Sequence, residues 1–156
     1  MNWLPRILLV EDSAQDAEMT LRAFEACHLA NEVLHLHDGA EALDFLHRRG
    51  KFAGRTNGQP ALVLLDLKMP KMDGLEVLRQ MREDADLRLI PVVIMTSSRA
   101  ERDLLDSYRL GVNAYVVKPV KFSDFIGAVR QVGAFWAVLN EPPPGSVPRR
   151  APPETR

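Results

Sequence analysis

Strand-like runs of apolar residues recur along the chain at 7–10, 33–37, 61–65, 92–95 and 114–117. The first, third and fourth are almost wholly apolar, which suits strands covered on both faces, as in a parallel sheet. Between the runs the spacing lengthens to that of helices. Ala14, Ala17, Leu21 and Phe24 share one helical face. Leu75, Leu78 and Met81 share another, as do Phe122, Phe125, Ile126, Val129, Val132, Trp136 and Leu139. Strand and helix alternate five times. That order predicts an α/β sandwich, a parallel sheet with right-handed helical crossovers. One connection is long: residues 48–60, RRGKFAGRTNGQP, hold three glycines and four basic residues with little periodicity, and read as a solvated or partner-facing loop.

Composition then limits the possibilities. The 156 residues suit one domain, predicted over 1–140, with a proline-rich tail over 141–156 and no output domain. From Pro142 onward six of fifteen residues are proline and only Val147 and Ala151 are apolar, so an extended tail is predicted. Twenty basic against twenty-one acidic residues give a net charge of −1, which argues against a nucleic-acid binder. Cys27 has no partner for an intrachain disulfide, as suits a reducing cytoplasm. No apolar run approaches the ~20 residues of a membrane span, and no signal-peptide pattern opens the chain.

The chemistry lies at the strand ends. The first run leads into Glu11-Asp12, the third into Asp66, the fourth into Thr96-Ser97 and the fifth into Lys118-Pro119. Singly, each has an ordinary structural reading: Asp12 or Ser13 capping the first helix, Asp66 opening a turn, Thr96 or Ser97 capping the fourth helix, Lys118 lying at the surface. In a parallel sheet all four ends share one edge, where such sheets bind ligands. Three converging carboxylates call for a hard cation, and Mg²⁺ accepts one or two carboxylates plus waters and a phosphoryl oxygen. An Asp beside such a cation can attack a phosphoryl donor and become an aspartyl phosphate. Lys118 and the Thr96 hydroxyl would hold the remaining phosphoryl oxygens.

Four stretches in order, ILLVEDS at 7–13, LVLLDLKMPKMDGLEVL at 62–78, VVIMTSS at 92–98 and NAYVVKPV at 113–120, resemble the signatures of response-regulator receiver domains. The resemblance spans about residues 5–139. It implies a flavodoxin-like (βα)5 fold, a doubly wound five-stranded parallel sheet in the order 2-1-3-4-5. It implies Asp66 as phosphoacceptor, and Mg²⁺ held by Glu11, Asp12, Asp66 and the backbone carbonyl of Lys68. It implies Thr96 and Lys118 as phosphoryl-binding residues, Tyr115 as the switch aromatic and a cis bond before Pro119. The long loop before the third strand and the ending FWAVLNEPPP resemble single-domain regulators partnered with bacterial phytochromes. The partner implied is a sensor histidine kinase, a bacteriophytochrome, with no nucleic acid or membrane involved.

Rival readings fit the residues less well. An aspartyl-phosphate phosphatase commonly carries a second Asp two positions after the nucleophile, where this chain has Lys68. A degenerate receiver would lack the acceptor, the acidic pair or the lysine. The chain is therefore expected to catalyse only its own phosphorylation and slow dephosphorylation. His28, His35, His37 and His47 lack the companions of a tetrahedral metal site, and Cys27 reads as a packing residue. Phe135 and Val138 point away from the inward stripe of the last helix. A homodimer is predicted on the face of the fourth helix, fifth strand and fifth helix, with the C-terminal segment reaching across as an arm.

Overall fold

The computed structural model describes residues 5–56 and 58–149. Trp3, which stands just before the first strand and is expected to pack against the body, lies outside them. Five parallel strands, β1 (Ile7–Val10), β2 (Val33–Leu36), β3 (Leu62–Leu65), β4 (Val92–Thr96) and β5 (Ala114–Val117), form one sheet in the order β2-β1-β3-β4-β5. The helices are α1 (Ala14–Ala26), α2 (Gly39–His47), α3 (Gly74–Glu83), α4 (Glu101–Arg109) and α5 (Phe122–Gly133). This is the flavodoxin-like (βα)5 architecture.

Alternation along each strand explains why the central runs are apolar throughout. Leu8, Val10, Val63, Leu65, Val92 and Ile94 face one core, shared with Leu43 and Leu46 of α2 and Val77, Leu78 and Met81 of α3. Ile7, Leu9, Leu62, Leu64, Val93 and Met95 face the other, shared with Ala17, Ala23 and Phe24 of α1 and Phe125 and Val129 of α5. Each such aliphatic side chain contributes about 1.5–3 kcal/mol by leaving water. Cys27 packs beside the second core, and burial raises its thiol pKa, in line with a packing role.

The sheet register brings the strand ends level. Val10 lies opposite both Leu36 and Leu65, Leu65 opposite Ile94, and Thr96 opposite Val117. Helix starts are fixed locally. Ser13 caps α1 by accepting from the Asp16 amide at 3.2 Å, Asp38 caps α2, and Asp73 caps α3. Gly74 begins α3 because its backbone crosses the end of β3. A Cβ there would stand 2.2 Å from the Asp66 carbonyl oxygen.

Three expectations fail at the far end of the chain. Leu139 does not continue the inward stripe of α5; it is 73% exposed. The helix widens to π geometry over Ala134–Leu139, so the next buried side chain after Val132 is that of Ala137, five positions on. Phe122, also assigned inward, is exposed. The described part of the tail, 141–149, does not stand away from the body. Gln59 and Ser146 pair in parallel, with amide-to-carbonyl bonds of 2.9 Å from Gln59 to Gly145 and 2.8 Å from Val147 to Gln59. Val147 is buried. Arg6, itself buried, donates to the Val147 carbonyl and, at 3.0 Å, to that of Ala137, and pairs with Glu32 at 3.3 Å. Gly58 is required where the two segments cross, since a Cβ would meet the Gly145 oxygen at 2.6 Å. The long loop before β3 is thus the seat of the C-terminal segment. Arg55 folds inward there, over the Phe45 ring at 4.1 Å. The predicted arm is committed to its own chain in this structure.

Candidate phosphoryl and metal site

The carboxyl ends of β1, β3, β4 and β5 converge as the strand-end argument requires. Glu11, Asp12 and Asp66 offer carboxylate oxygens that all lie within 4.8 Å of one another. Glu11 and Asp66 are buried, while Asp12 is exposed. Ser13 takes the capping role, which leaves the Asp12 carboxylate free of it. Among the described residues this is the only group of three or more metal-binding side chains so arranged. All three donors are hard oxygens, the chemistry that suits Mg²⁺.

Lys118 closes the site. Its ammonium donates to Glu11 Oε2 at 2.7 Å, Asp16 Oδ2 at 2.7 Å and Asp66 Oδ2 at 3.2 Å. Burial works to lower its pKa, but the hydrogen bonds to Asp16 and Glu11 prevail and raise it, so it stays charged. Burial, with Asp66 adding repulsion, pushes the Glu11 carboxyl up to about 7 against the pull of Lys118. The cluster holds more negative charge than one ammonium balances, which is the electrostatic case for a divalent cation.

Thr96 is fully buried at the end of β4, and its Oγ1 accepts from the Ser98 amide at 3.3 Å. Neither Thr96 nor Ser97 caps α4; the Ser98 hydroxyl accepts from the Ala100 amide instead. Tyr115 is half-buried, packed against the first core, and its hydroxyl donates to the Ser98 carbonyl at 3.0 Å. The side chain of Lys68 turns to α4 and pairs with Asp103 at 3.1 Å. The cis bond before Pro119 is corrected. No peptide among the described residues is cis, so Lys118–Pro119 is trans. The residues themselves favour trans by about 0.5–1 kcal/mol at an X-Pro bond, and only the resemblance had argued otherwise.

Two contributors escaped the sequence reading. Asp16 supplies a third carboxylate to Lys118; the available signal was its place four residues after Asp12, in the first turn of the helix. His35, set aside as a metal ligand, hydrogen-bonds the Glu11 carbonyl at 2.8 Å and fixes the backbone between the two acids. No sequence signal pointed to that contact.

Residues 7–130 match the family model for the response regulator receiver domain. The chain belongs to that family. This receiver is 42% identical over 137 residues to the probable methanogenesis regulatory protein FilR2 of Methanothrix harundinacea (strain 6Ac), covering 88% of this chain and 86% of that protein. Among solved structures it superposes with a TM-score of 0.83 on the phosphorylated cyanobacterial phytochrome response regulator RcpA, at 36% identity, over 90% of this chain and 99% of that one. On the bacteriophytochrome response regulator RtBRR the TM-score is 0.71 at 59% identity, over 92% and 86% of the two chains. The receiver is a two-component signalling module. No helix among its described residues is long and apolar enough to cross a membrane.

Proposed function

We propose that this receiver works as a single-domain response regulator in the cytoplasm, taking a phosphoryl group on Asp66 from the phosphohistidine of a sensor kinase, a bacterial phytochrome. The observation that carries the reading is Lys118, held within 3.2 Å of the Asp66 carboxylate beside a three-carboxylate cluster. An Asp66 oxygen attacks phosphorus, the P–N bond breaks, and the imidazole leaves with the electron pair. Glu11, Asp12, Asp66 and the Lys68 carbonyl would hold Mg²⁺, whose charge offsets that of the incoming phosphoryl oxygens. Lys118 exchanges a carboxylate partner for a phosphoryl oxygen, the Thr96 hydroxyl turns to another, and Tyr115 follows the vacated space. Beyond its own phosphorylation and slow hydrolysis the chain turns over no substrate. The phytochrome assignment rests on the likeness to RcpA and RtBRR and on the sequence of the last helix and the long loop.

The test is transfer of labelled phosphate from purified kinases and from acetyl phosphate. Label should reach the wild-type chain and be absent from Asp66→Asn. Acid-labile label retained on the variant would reassign the acceptor. A homodimer is part of the same reading. Leu104, Leu105 and Tyr108 on α4, Phe122 on α5 and Phe135 beyond it are all exposed. Light scattering should show a dimer that Phe135→Ser weakens; an unchanged mass would remove this face from the interface.

A further inference from the structure

Asp103, on α4, lies outside the acidic cluster, yet two loops of the site meet on one of its oxygens. Oδ2 accepts from the Ser98 hydroxyl at 2.5 Å and pairs with the Lys68 ammonium at 3.1 Å. Its side chain is 13% exposed, which shields the bond from Ser98, whereas Lys68 is 65% exposed and its bond is screened by water. Ser98 is in turn held at two more atoms, its amide on Thr96 Oγ1 and its carbonyl under the Tyr115 hydroxyl. The chain of contacts therefore runs from Lys68, two residues past the acceptor, through Asp103 and Ser98 to Thr96 and Tyr115. In this arrangement the Thr96 hydroxyl oxygen is engaged by its own loop. Movement of the Thr96 hydroxyl toward a phosphoryl group on Asp66 would stretch its bond from the Ser98 amide, and Asp103 holds the loop carrying Ser98 to both α4 and Lys68.

We propose that Asp103 is a positioning residue: a latch joining the loops after β3 and β4, which holds the receiver in its unphosphorylated arrangement and against which phosphorylation must work. The inference rests on Asp66 as phosphoacceptor and deepens that reading. A contact made in one state only biases the equilibrium by its own strength. The attraction that keeps the Asp103 carboxylate ionised comes first from Ser98 and then from Lys68.

The experiment is titration of Mg²⁺-saturated protein with beryllofluoride, a phosphoryl mimic, followed by Trp136 fluorescence or calorimetry. Asp103→Ala should tighten apparent binding about three- to tenfold, and Asp103→Asn, which keeps an acceptor for Ser98, by less. A residue acting only on stability would give additive effects. Here the Lys68→Met, Ser98→Ala double variant should already bind tightly, and adding Asp103→Ala should change it no further. Unchanged or weaker binding by folded Asp103→Ala and Asp103→Asn overturns the latch, as does full additivity. If the wild-type chain neither binds the mimic nor takes label on Asp66, the phosphoacceptor reading falls and the latch with it. Labelled wild type with unaltered Asp103 variants removes the latch alone.

Discussion

Replacing Lys118 by Met removes the one ammonium among the described residues that touches Glu11, Asp16 and Asp66 together, while keeping most of its volume. The Glu11 and Asp66 side chains are 4% and 10% exposed, so water reaches neither well, whereas Asp16 at 30% can be solvated. Breaking a buried ion pair by removing one partner costs about 3–5 kcal/mol. The lower end applies here, because the Glu11 carboxyl, already pushed up to about 7, can keep its proton in the folded state. Metal-free Lys118→Met should therefore lose about 3 kcal/mol at neutral pH. Mg²⁺ should then stabilise the variant more than the wild type, since it meets carboxylates with no competing ammonium. Urea unfolding with a chelator and with saturating Mg²⁺ measures both quantities, and calorimetry gives the Mg²⁺ affinity. Labelling by acetyl phosphate should fall sharply although Mg²⁺ still binds. A metal-free variant as stable as wild type, or an equal Mg²⁺ gain in both, would refute the charge balance drawn for this site.

Three further perturbations address separate parts of the molecule. Asp12→Ala should weaken Mg²⁺ binding while leaving the melting temperature nearly unchanged, because Ser13 and not Asp12 caps α1; equal affinity by calorimetry would take Asp12 out of the metal set. Gly74→Ala should cost about 2–4 kcal/mol, since its Cβ would press on the Asp66 backbone, which cannot rotate aside; an unaltered denaturant midpoint would contradict that crowding. Arg6→Met should cost about 3–5 kcal/mol by leaving Glu32 and two buried carbonyls without its guanidinium. Limited proteolysis should then cut near Val147, and continued resistance there would show that the segment is held without Arg6.

The sheet was legible because each strand is a short apolar run that ends in a polar residue, and parallel register alone carries those ends to one edge. Strand boundaries moved by a residue or less, and Ile7–Val10 and Ala114–Val117 did not move. What stayed hidden depends on tertiary partners. An arginine one residue before a strand reads as surface charge, and nothing local says that Arg6 will be enclosed by carbonyls from positions 137 and 147. The proline-rich composition after Pro142 argued for a free tail, yet one valine and two backbone bonds to Gln59 seat it. Leu139 was misplaced because a 3.6-residue period was carried through a stretch that widens to π geometry. At the site the sequence named the acids, the hydroxyl and the lysine. It missed Asp16 and Asp103, whose roles arise only where a helix turn and a neighbouring loop meet.

The Arg6 guanidinium bonds a carbonyl 141 positions further along the sequence. Between those two residues the backbone forms a nearly closed ring, fastened at the amino ends of β1 and β3, on the side of the sheet opposite Asp66. A ring has no obligatory starting point. Joining the chain near residue 147 to the chain near residue 6 through a short linker, and opening it instead in the glycine-bearing turn at 53–56, would give a circular permutant with every strand in place. Its new ends would leave from the amino side of the sheet, and cargo attached there would not stand between Asp66 and an approaching kinase.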